Sequence, residues 1–179
     1  MKYKIIALIG EAGSGKDTIL QDLLQNSNFN EIISYTTRPP RDGEINGKNY
    51  FFLSPEEFLD KIQEDVMLEY TVFNGWFYGT PKEILKEGVN IGVFNPGGVW
   101  RLSQNDDIDL QVFKIECDAA ERLRRQLNRE QNPNVDEIVR RYTADKQDFR
   151  KLDFDVISIP NCTPQDRELA VKLIMDKIV

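Results

Sequence analysis

Two short stretches of the chain carry residues that could bind phosphate. The first, Gly10–Thr18, contains G-x-x-x-x-G-K, typical of a loop whose backbone N–H groups surround nucleotide phosphates while its lysine reaches the β/γ end. The second, Ser34–Tyr50, places Arg38 and Arg41 three positions apart among hydroxyl-bearing residues. A guanidinium group forms two parallel, charge-assisted hydrogen bonds to phosphate oxygens. A kinase with a phosphorylated acceptor requires two such sites, whereas either stretch alone could be an ordinary surface loop.

The residues around the first stretch are those that a phosphate-binding loop needs. Lys4–Ile9 is mostly apolar and β-branched and predicts a buried parallel strand, while apolar residues at helical spacing in 19–24 predict a helix. The loop then precedes a helix N-terminus, which attracts anions. Asp17 stands after Lys16, where such loops usually have the Ser or Thr that binds Mg²⁺. We therefore expect Thr18, one residue later, to contact the metal directly or through water.

Length and composition favour one α/β unit acting on small molecules. A chain of 179 residues can bury a single hydrophobic core without needing disulfide bonds or a structural metal for stability. Its net charge of −7 argues against a broad nucleic-acid surface. The absence of histidine excludes histidine triads and histidine metal sites. Cys117 and Cys162 form no metal-ligand pattern, and no segment has the length of a membrane span, so we expect a cytoplasmic protein without nucleic-acid or membrane partners.

Strands that alternate with helices predict a doubly wound parallel sheet, with ligands at the carboxyl ends of its strands. Further core strands are predicted at 32–34, 89–94, 110–115 and 156–159. Helices are predicted to begin near Pro81, Gly98, Asp118, Val135 and Pro164. These elements assign residues 1–34 and 81–179 to the core.

Residues 35–80 interrupt this alternation. They contain β-type runs and two Asn-Gly pairs, Asn46-Gly47 and Asn74-Gly75, both signals of a hairpin turn. Between them, Ser54-Pro55-Glu56-Glu57 predicts a helix start, because it combines a capping box with proline at the first helical position. The pattern predicts a small mixed α+β insert.

A third cluster, from Leu68 to Thr80, lies at the end of the insert and adds to a resemblance with a known family. Together with the phosphate loop and the pattern S-x-T-T-R-x-x-R-x-G-E-x-x-G-x-x-Y, it makes nearly the whole chain similar to the guanylate kinase family. The resemblance implies a P-loop α/β core, an acceptor-binding insert at 35–80 and a helical lid. It also implies transfer of phosphate from ATP, with Mg²⁺, to GMP or dGMP, by a monomer or homodimer.

The resemblance further implies a role for each matching position. The ATP site would comprise Gly10, Glu11, Ala12, Gly13, Ser14, Gly15, Lys16, Asp17, Thr18 and Asn161. The phosphate of GMP would be held by Arg38, Arg41, Tyr50 and Tyr78. Guanine would be read by Ser34, Glu69 and Thr80, with Asn95 near the acceptor base or sugar. The catalytic charges would come from Lys16, Arg38, Arg129 and Arg141.

The chemistry of the base site stands without the resemblance. Guanine offers two donors on one edge, N1–H and the N2 amine, which a carboxylate such as Glu69 accepts together. Its O6 accepts a hydrogen bond, which the hydroxyl of Ser34 or Thr80 can donate. Adenine has no N1–H and would leave the carboxylate unpaired. The alternatives are a surface carboxylate for Glu69 and a half-buried packing role for Tyr78.

Arginines follow one another in the region that resembles the lid, about residues 122–141. The helix predicted after Asp118 carries three of them at i, i+3 and i+7, which predicts a single face: Arg122, Arg125 and Arg129. A polar break at 131–135 separates them from Arg140 and Arg141. Because like charges stacked on one face repel, a bound anion would stabilise them. The alternative is a solvated face with salt bridges to neighbouring acids.

Two positions depart from the family. Most guanylate kinases carry acidic residues where this chain has Val93 and Asn95, so the negative charge is missing although Asn95 can still bond a base or sugar. Two alternatives stay open: a kinase of the same fold with broader (deoxy)nucleoside monophosphate specificity, and a non-catalytic guanylate-kinase-like binding module. Such modules typically lose the loop residues that this chain keeps, Gly10, Gly15 and Lys16.

Overall fold

The computed structural model describes residues 2–129 and 131–178. In chain order the elements are β1 (Tyr3–Ile9), α1 (Lys16–Gln25), β2 (Asn30–Glu31), β3 (Tyr35–Thr36), β4 (Phe51–Phe52), α2 (Pro55–Gln63), β5 (Met67–Phe73), β6 (Trp76–Pro81), a 3-10 turn (Lys82–Ile84), β7 (Val89–Val93), α3 (Pro96–Ser103), β8 (Ile108–Glu116), α4 (Ala119–Leu127), α5 (Val135–Asp148), β9 (Ile157–Pro160) and α6 (Pro164–Ile178).

A parallel five-stranded sheet in the order β2-β7-β1-β8-β9 forms the core. Strand β1 is buried on both faces, as its nearly continuous apolar run predicts. Ile6 and Leu8 pack with the helices α1 and α6, while Ile5 and Ile9 belong to the cluster of α3 on the opposite face. Helices on both faces confirm the predicted doubly wound sheet, and they place the β1–α1 loop at the carboxyl end of the central strand.

A second sheet, in the order β4-β3-β6-β5, is built from residues within 35–81. Asn74 and Gly75 take φ values of 53° and 81° in the turn that joins the antiparallel strands β5 and β6, as that pair predicted. Ser54 and Glu57 form the predicted capping box of α2. That this region acts as a separate acceptor-binding unit remains a prediction.

Two of the predicted core elements are placed differently. The strand expected at 32–34 is instead β2, because after Ile32 donates its N–H to Ile91 O (2.8 Å) the chain leaves the core sheet. Ser34 O already accepts from Phe51 N (3.0 Å) in the region of the second sheet. The helix expected near Pro81 is the single 3-10 turn Lys82–Ile84, which β6 precedes directly.

The predicted hairpin at Asn46-Gly47 is wrong. Gly47 has a φ of 77° and donates its N–H to Tyr50 O (2.8 Å), which closes a tight local loop. The bridge between Asn46 and Tyr50 is parallel, so the turn does not join two antiparallel strands. Of the helices in the described part of the chain, none combines the length and apolarity that crossing a membrane requires.

Candidate nucleotide-binding site

The phosphate loop joins β1 to α1 in a conformation that its glycines permit. Gly13 and Gly15 have φ values of 81° and 88°, which residues other than glycine rarely adopt. A Cβ at Gly13 would also lie 2.5 Å from Arg122 O. Lys16 begins helix α1, with its Nζ 4.0 Å from the Oδ2 of the exposed Asp17.

Asn161 and Arg125 support the loop through its carbonyl groups. Asn161 is buried and donates from Nδ2 to Ser14 O (2.8 Å). Arg125 Nη1 reaches Gly13 O at 3.3 Å, and its Nη2 donates to Cys162 O at 2.8 Å. The amide of Asn161 thus holds the loop, and its contact with adenine stays a prediction.

The prediction that Arg122, Arg125 and Arg129 share one face of a helix is wrong for Arg129. Helix α4 ends at Leu127, which leaves Arg129 beyond the helix. Arg122 is only 4% exposed and pairs through Nη2 with Glu11 Oε1 at 3.1 Å. Arg122 and Arg125 therefore brace the phosphate loop, and only Arg129 of the three is exposed.

On α5, the predicted alternative of local salt bridges holds for Arg140 and Arg141. Glu137 accepts from the Nε of each at 2.7 Å. The hydrogen bond from Arg140, followed by that from Arg141, lowers the pKa of Glu137 to about 2. Both arginines and Arg129 still line the cleft described below. Glu130, inside the expected lid, lies outside the described residues.

In the expected acceptor region, Arg38 is held by Glu44, a residue of the sequence motif that had no predicted role. Its Nη1 and Nη2 donate to the two carboxylate oxygens of Glu44, each at 2.9 Å. Burial by itself lowers the pKa of Arg38, but the hydrogen bond to Glu44 raises it overall. The same carboxylate accepts from Arg41 N at 2.7 Å. Glu44 therefore fixes the spacing of the two arginines.

The guanidinium group of Arg41 can donate a further hydrogen bond. Within the described residues, its buried Nε has no hydrogen-bond partner. Burial lowers the pKa of Arg41, and the positive charges of Arg38, Arg141 and Arg129 lower it further. All four guanidinium groups line the same cleft, an arrangement that a bound anion stabilises.

Two tyrosines complete this side of the cleft. Tyr50 and Tyr78 lie edge to face with ring centroids 6.0 Å apart, and the guanidinium carbon of Arg38 lies 5.4 Å from the ring centre of Tyr50. Burial raises the pKa of Tyr50, which keeps its hydroxyl protonated and able to donate to an anion.

The residues expected to read guanine lie together. Glu69 Oε1 accepts from Thr80 Oγ1 at 2.7 Å, and Ser34 Oγ lies 3.4 Å from the same Thr80 oxygen. Glu69 is 7% exposed, yet its Oε2 has no hydrogen-bond partner among the described residues. Burial raises the pKa of Glu69 to about 7. Such an unpaired, buried acceptor can receive a donor from a ligand.

Asn95 is partly committed to the fold. Its Oδ1 accepts from Gly98 N at 2.8 Å and caps helix α3, a structural role that the sequence reasoning missed. Asn95 and Val93 nevertheless line the cleft.

A single cleft of about 770 Å³ contains both groups of residues. Its lining includes Lys16, Asp17 and Thr18 on one side and Arg38, Arg41, Tyr50, Glu69 and Tyr78 on the other. A glycine-rich loop before a helix, with an arginine-lined pocket across the same cleft, defines the class of P-loop proteins with two phosphate sites. A sequence profile described as guanylate kinase matches residues 2–165. The chain belongs to the guanylate kinase family.

Individual relatives agree with this assignment. A guanylate kinase of Clostridium tetani is 48% identical over 94 residues, which cover 50% of this chain and 45% of that protein. A guanylate kinase of Mycoplasma capricolum is 34% identical over 174 residues, 89% of this chain and 52% of that protein. The chain thus spans about half the length of these relatives.

The fold also matches a solved structure. The crystal structure of guanylate kinase from Anaplasma phagocytophilum superposes with a TM-score of 0.73 at 22% identity. The match covers 99% of this chain and 88% of that chain, so the shared architecture includes both sheets.

Proposed function

We propose that the chain transfers the γ-phosphoryl group of ATP to GMP or dGMP, producing ADP and GDP or dGDP. The observation that carries this proposal is the single cleft in which Lys16 of the phosphate loop faces the arginine pair Arg38 and Arg41. A donor loop alone is common to many nucleotide-binding proteins. A second phosphate pocket in the same cleft is what a phosphorylated acceptor needs.

The proposed mechanism requires alignment and charge neutralisation. The acceptor phosphate is already an anionic nucleophile, so no general base is needed. Arg38, Arg41 and the two tyrosines would hold it, while Lys16, Arg129 and Arg141 would neutralise charge on the transferring group. Closure over the cleft would exclude water and limit wasteful hydrolysis of ATP.

The base preference follows from Glu69. Its free Oε2 provides an acceptor for the guanine N1–H and N2 amine. Because Thr80 donates its hydroxyl proton to Glu69 Oε1, the hydroxyl that can donate to O6 is that of Ser34. Adenine would leave this buried carboxylate without a donor, which discriminates strongly against it.

Mg²⁺ fits this site as a companion of the nucleotide. Asp17 and Thr18 follow Lys16 and line the cleft, so a carboxylate and a hydroxyl, both suitable ligands for Mg²⁺, stand beside the loop. The described residues contain no group of three acidic, cysteine or histidine ligands, so nucleotide phosphates and water would supply the rest. When bound, the ion neutralises phosphate charge.

We also propose that the partners are ATP and GMP or dGMP, in a cytoplasmic setting. A net charge of −7 with a cationic cleft concentrates binding capacity on small anions.

A coupled assay of ADP release with all eight ribo- and deoxyribonucleoside monophosphates tests the proposal. We expect turnover with GMP and dGMP and its loss in Lys16→Met, which controls for contaminating kinases. Tight nucleotide binding without turnover by any acceptor would contradict the proposal and favour a non-catalytic binding module.

One observation favours a second candidate, a kinase with broader acceptor choice. Val93 puts an apolar side chain into the cleft wall beside Asn95, at positions where the resemblance implies acidic residues. Comparable kcat/KM for several deoxynucleotides in the same assay would establish that candidate instead of a guanine-specific kinase.

A further inference from the structure

A buried carboxylate from α5 contacts the phosphate loop. Asp145 is only 2% exposed, and its Oδ2 accepts a hydrogen bond from Ala12 N at 2.6 Å. Ala12 lies inside the G-x-x-x-x-G-K motif, whose backbone N–H groups are the ones that bind phosphate oxygens. Both residues line the cleft. One donor of the anion-binding loop is thus already occupied by an anion.

The surroundings of Asp145 do not supply it with a cationic partner. Among the described residues, no lysine or arginine nitrogen lies within 4.0 Å of its carboxylate. Burial, followed by the negative charge of Asp145, raises the pKa of Asp148 on the same helix. The pKa of Arg140 is raised first by its hydrogen bond to Glu137 and last by the charge of Asp145, but the salt bridge of Arg140 is with Glu137. The Asp145 charge therefore faces the loop without a neutralising salt bridge.

An unneutralised carboxylate at this position opposes the binding of a second anion. Two like charges a few ångströms apart in a partly desolvated site repel each other, which weakens the binding of the second anion. The carboxylate and a phosphate oxygen would also compete for the same Ala12 N–H donor, which can serve one strong acceptor at a time.

We propose that Asp145 is an internal anion that occupies the phosphate loop of the nucleotide-free protein and must be displaced when nucleotide phosphates bind. This inference rests on the proposed function only in placing ATP at the loop. In this role Asp145 weakens phosphate binding, whereas a residue that merely braces the loop would strengthen it.

The test is calorimetric titration of the full chain and its variants with ATP, inorganic tripolyphosphate and adenosine. Asp145→Asn keeps an oxygen for the Ala12 N–H and removes the charge. We expect it to bind ATP and tripolyphosphate about tenfold or more tightly than wild type, with adenosine unchanged. Asp148→Asn is the matched control, because it removes a charge three residues away without a contact to the loop, and it should leave all three affinities near those of wild type.

Unchanged or weaker ATP binding by a normally melting Asp145→Asn would overturn the inference, as would equal tightening in Asp148→Asn. Asp145→Ala adds a second discrimination, since a bracing role predicts weaker phosphate binding once the bond to Ala12 is lost, whereas competition predicts tighter binding. The proposed function is judged separately by wild type: absence of ATP binding there would refute both, while ordinary ATP binding with no gain in Asp145→Asn would refute only the inference.

Discussion

The phosphate-loop side and the expected acceptor side of the cleft differ in the kind of group that is left to bind a ligand. Around the loop, Asn161 and Arg125 bond the carbonyl groups, and Arg122 pairs with Glu11. Among the described residues, buried atoms without partners occur on both sides: Ser14 Oγ, Arg122 Nη1 and Gln126 Oε1 near the loop, Arg41 Nε and Glu69 Oε2 across the cleft. Of the charged groups among them, Arg41 and Glu69 line the cleft and Arg122 does not. The phosphate loop is held in shape by the core sheet and its flanking helices, whereas the proposed acceptor pocket keeps charged side chains that can bind a ligand.

This difference has a physical origin. A loop that binds through backbone N–H groups needs a fixed backbone, so side chains are used behind it. A pocket that binds through side chains must leave those side chains incompletely paired, and a buried unpaired group costs about 1–3 kcal/mol until the ligand arrives. Substitutions on the donor side should therefore affect chemistry most, while substitutions on the acceptor side should affect affinity and specificity.

The largest effect is expected for Lys16→Met. It removes a preorganised charge at the transferring group, so kcat should fall by about 10²–10³-fold. Steady-state kinetics with saturating GMP measures this, and thermal unfolding checks that the fold is kept. A variant that melts normally and turns over at nearly the wild-type rate would show that the loop is not the donor site.

Next comes Glu69→Gln, which directs an NH₂ donor to a place where an acceptor is wanted. We expect a loss of about 2–3 kcal/mol in GMP transition-state binding. Inosine monophosphate lacks the N2 amine and should lose less, so the ratio of kcat/KM for GMP and IMP isolates the N2 contact. A constant ratio in wild type and variant would mean that Glu69 does not read this amine.

The sequence predicts these two sites unequally. The phosphate loop lies in consecutive residues between a strand and a helix, so local patterns identify it fully. The long-range contacts of the loop do not follow from local patterns, because Asn161 and Asp145 reach it from positions more than 130 residues away. Glu44 stood inside the recognised motif, yet only the structure shows that it spaces the two arginines.

The arginines of the expected lid show that residue spacing also does not predict where a helix ends. The i, i+3, i+7 spacing assumes a helix that continues to Arg129, but α4 ends at Leu127. Helix ends are decided by capping and tertiary contacts that spacing does not contain. Burial of Arg122 against Glu11 could not be inferred either, since arginine is usually exposed.

A smaller effect is expected for Arg41→Ala, which tests whether the two phosphate sites are separate. Loss of a charge-assisted bond should weaken GMP binding about thirtyfold, equivalent to about 2 kcal/mol, and leave ATP binding nearly unchanged. Calorimetry with each nucleotide measures both affinities. Arg124→Ala, which removes an exposed arginine paired with Glu121, is the matched control. Equal losses for ATP and GMP would remove the distinction between a donor and an acceptor side.

The smallest effect is the pH dependence of acceptor affinity that Glu69 should impose. Burial raises its pKa to about 7 in the free site, and guanine donors require the ionised carboxylate. Below pH 7 the binding of GMP must therefore remove a proton from Glu69, which costs binding free energy. At pH 6 only about a tenth of the Glu69 carboxyl groups are ionised. GMP affinity should accordingly fall about tenfold from pH 8 to pH 6 and level off above pH 8. The phosphate of GMP also titrates in this range, and it affects the pH profiles of wild type and Glu69→Gln equally. Because the variant cannot ionise at position 69, the difference between the two profiles reports Glu69 alone. Parallel profiles for wild type and variant would show that the buried carboxylate does not gain its negative charge to bind guanine.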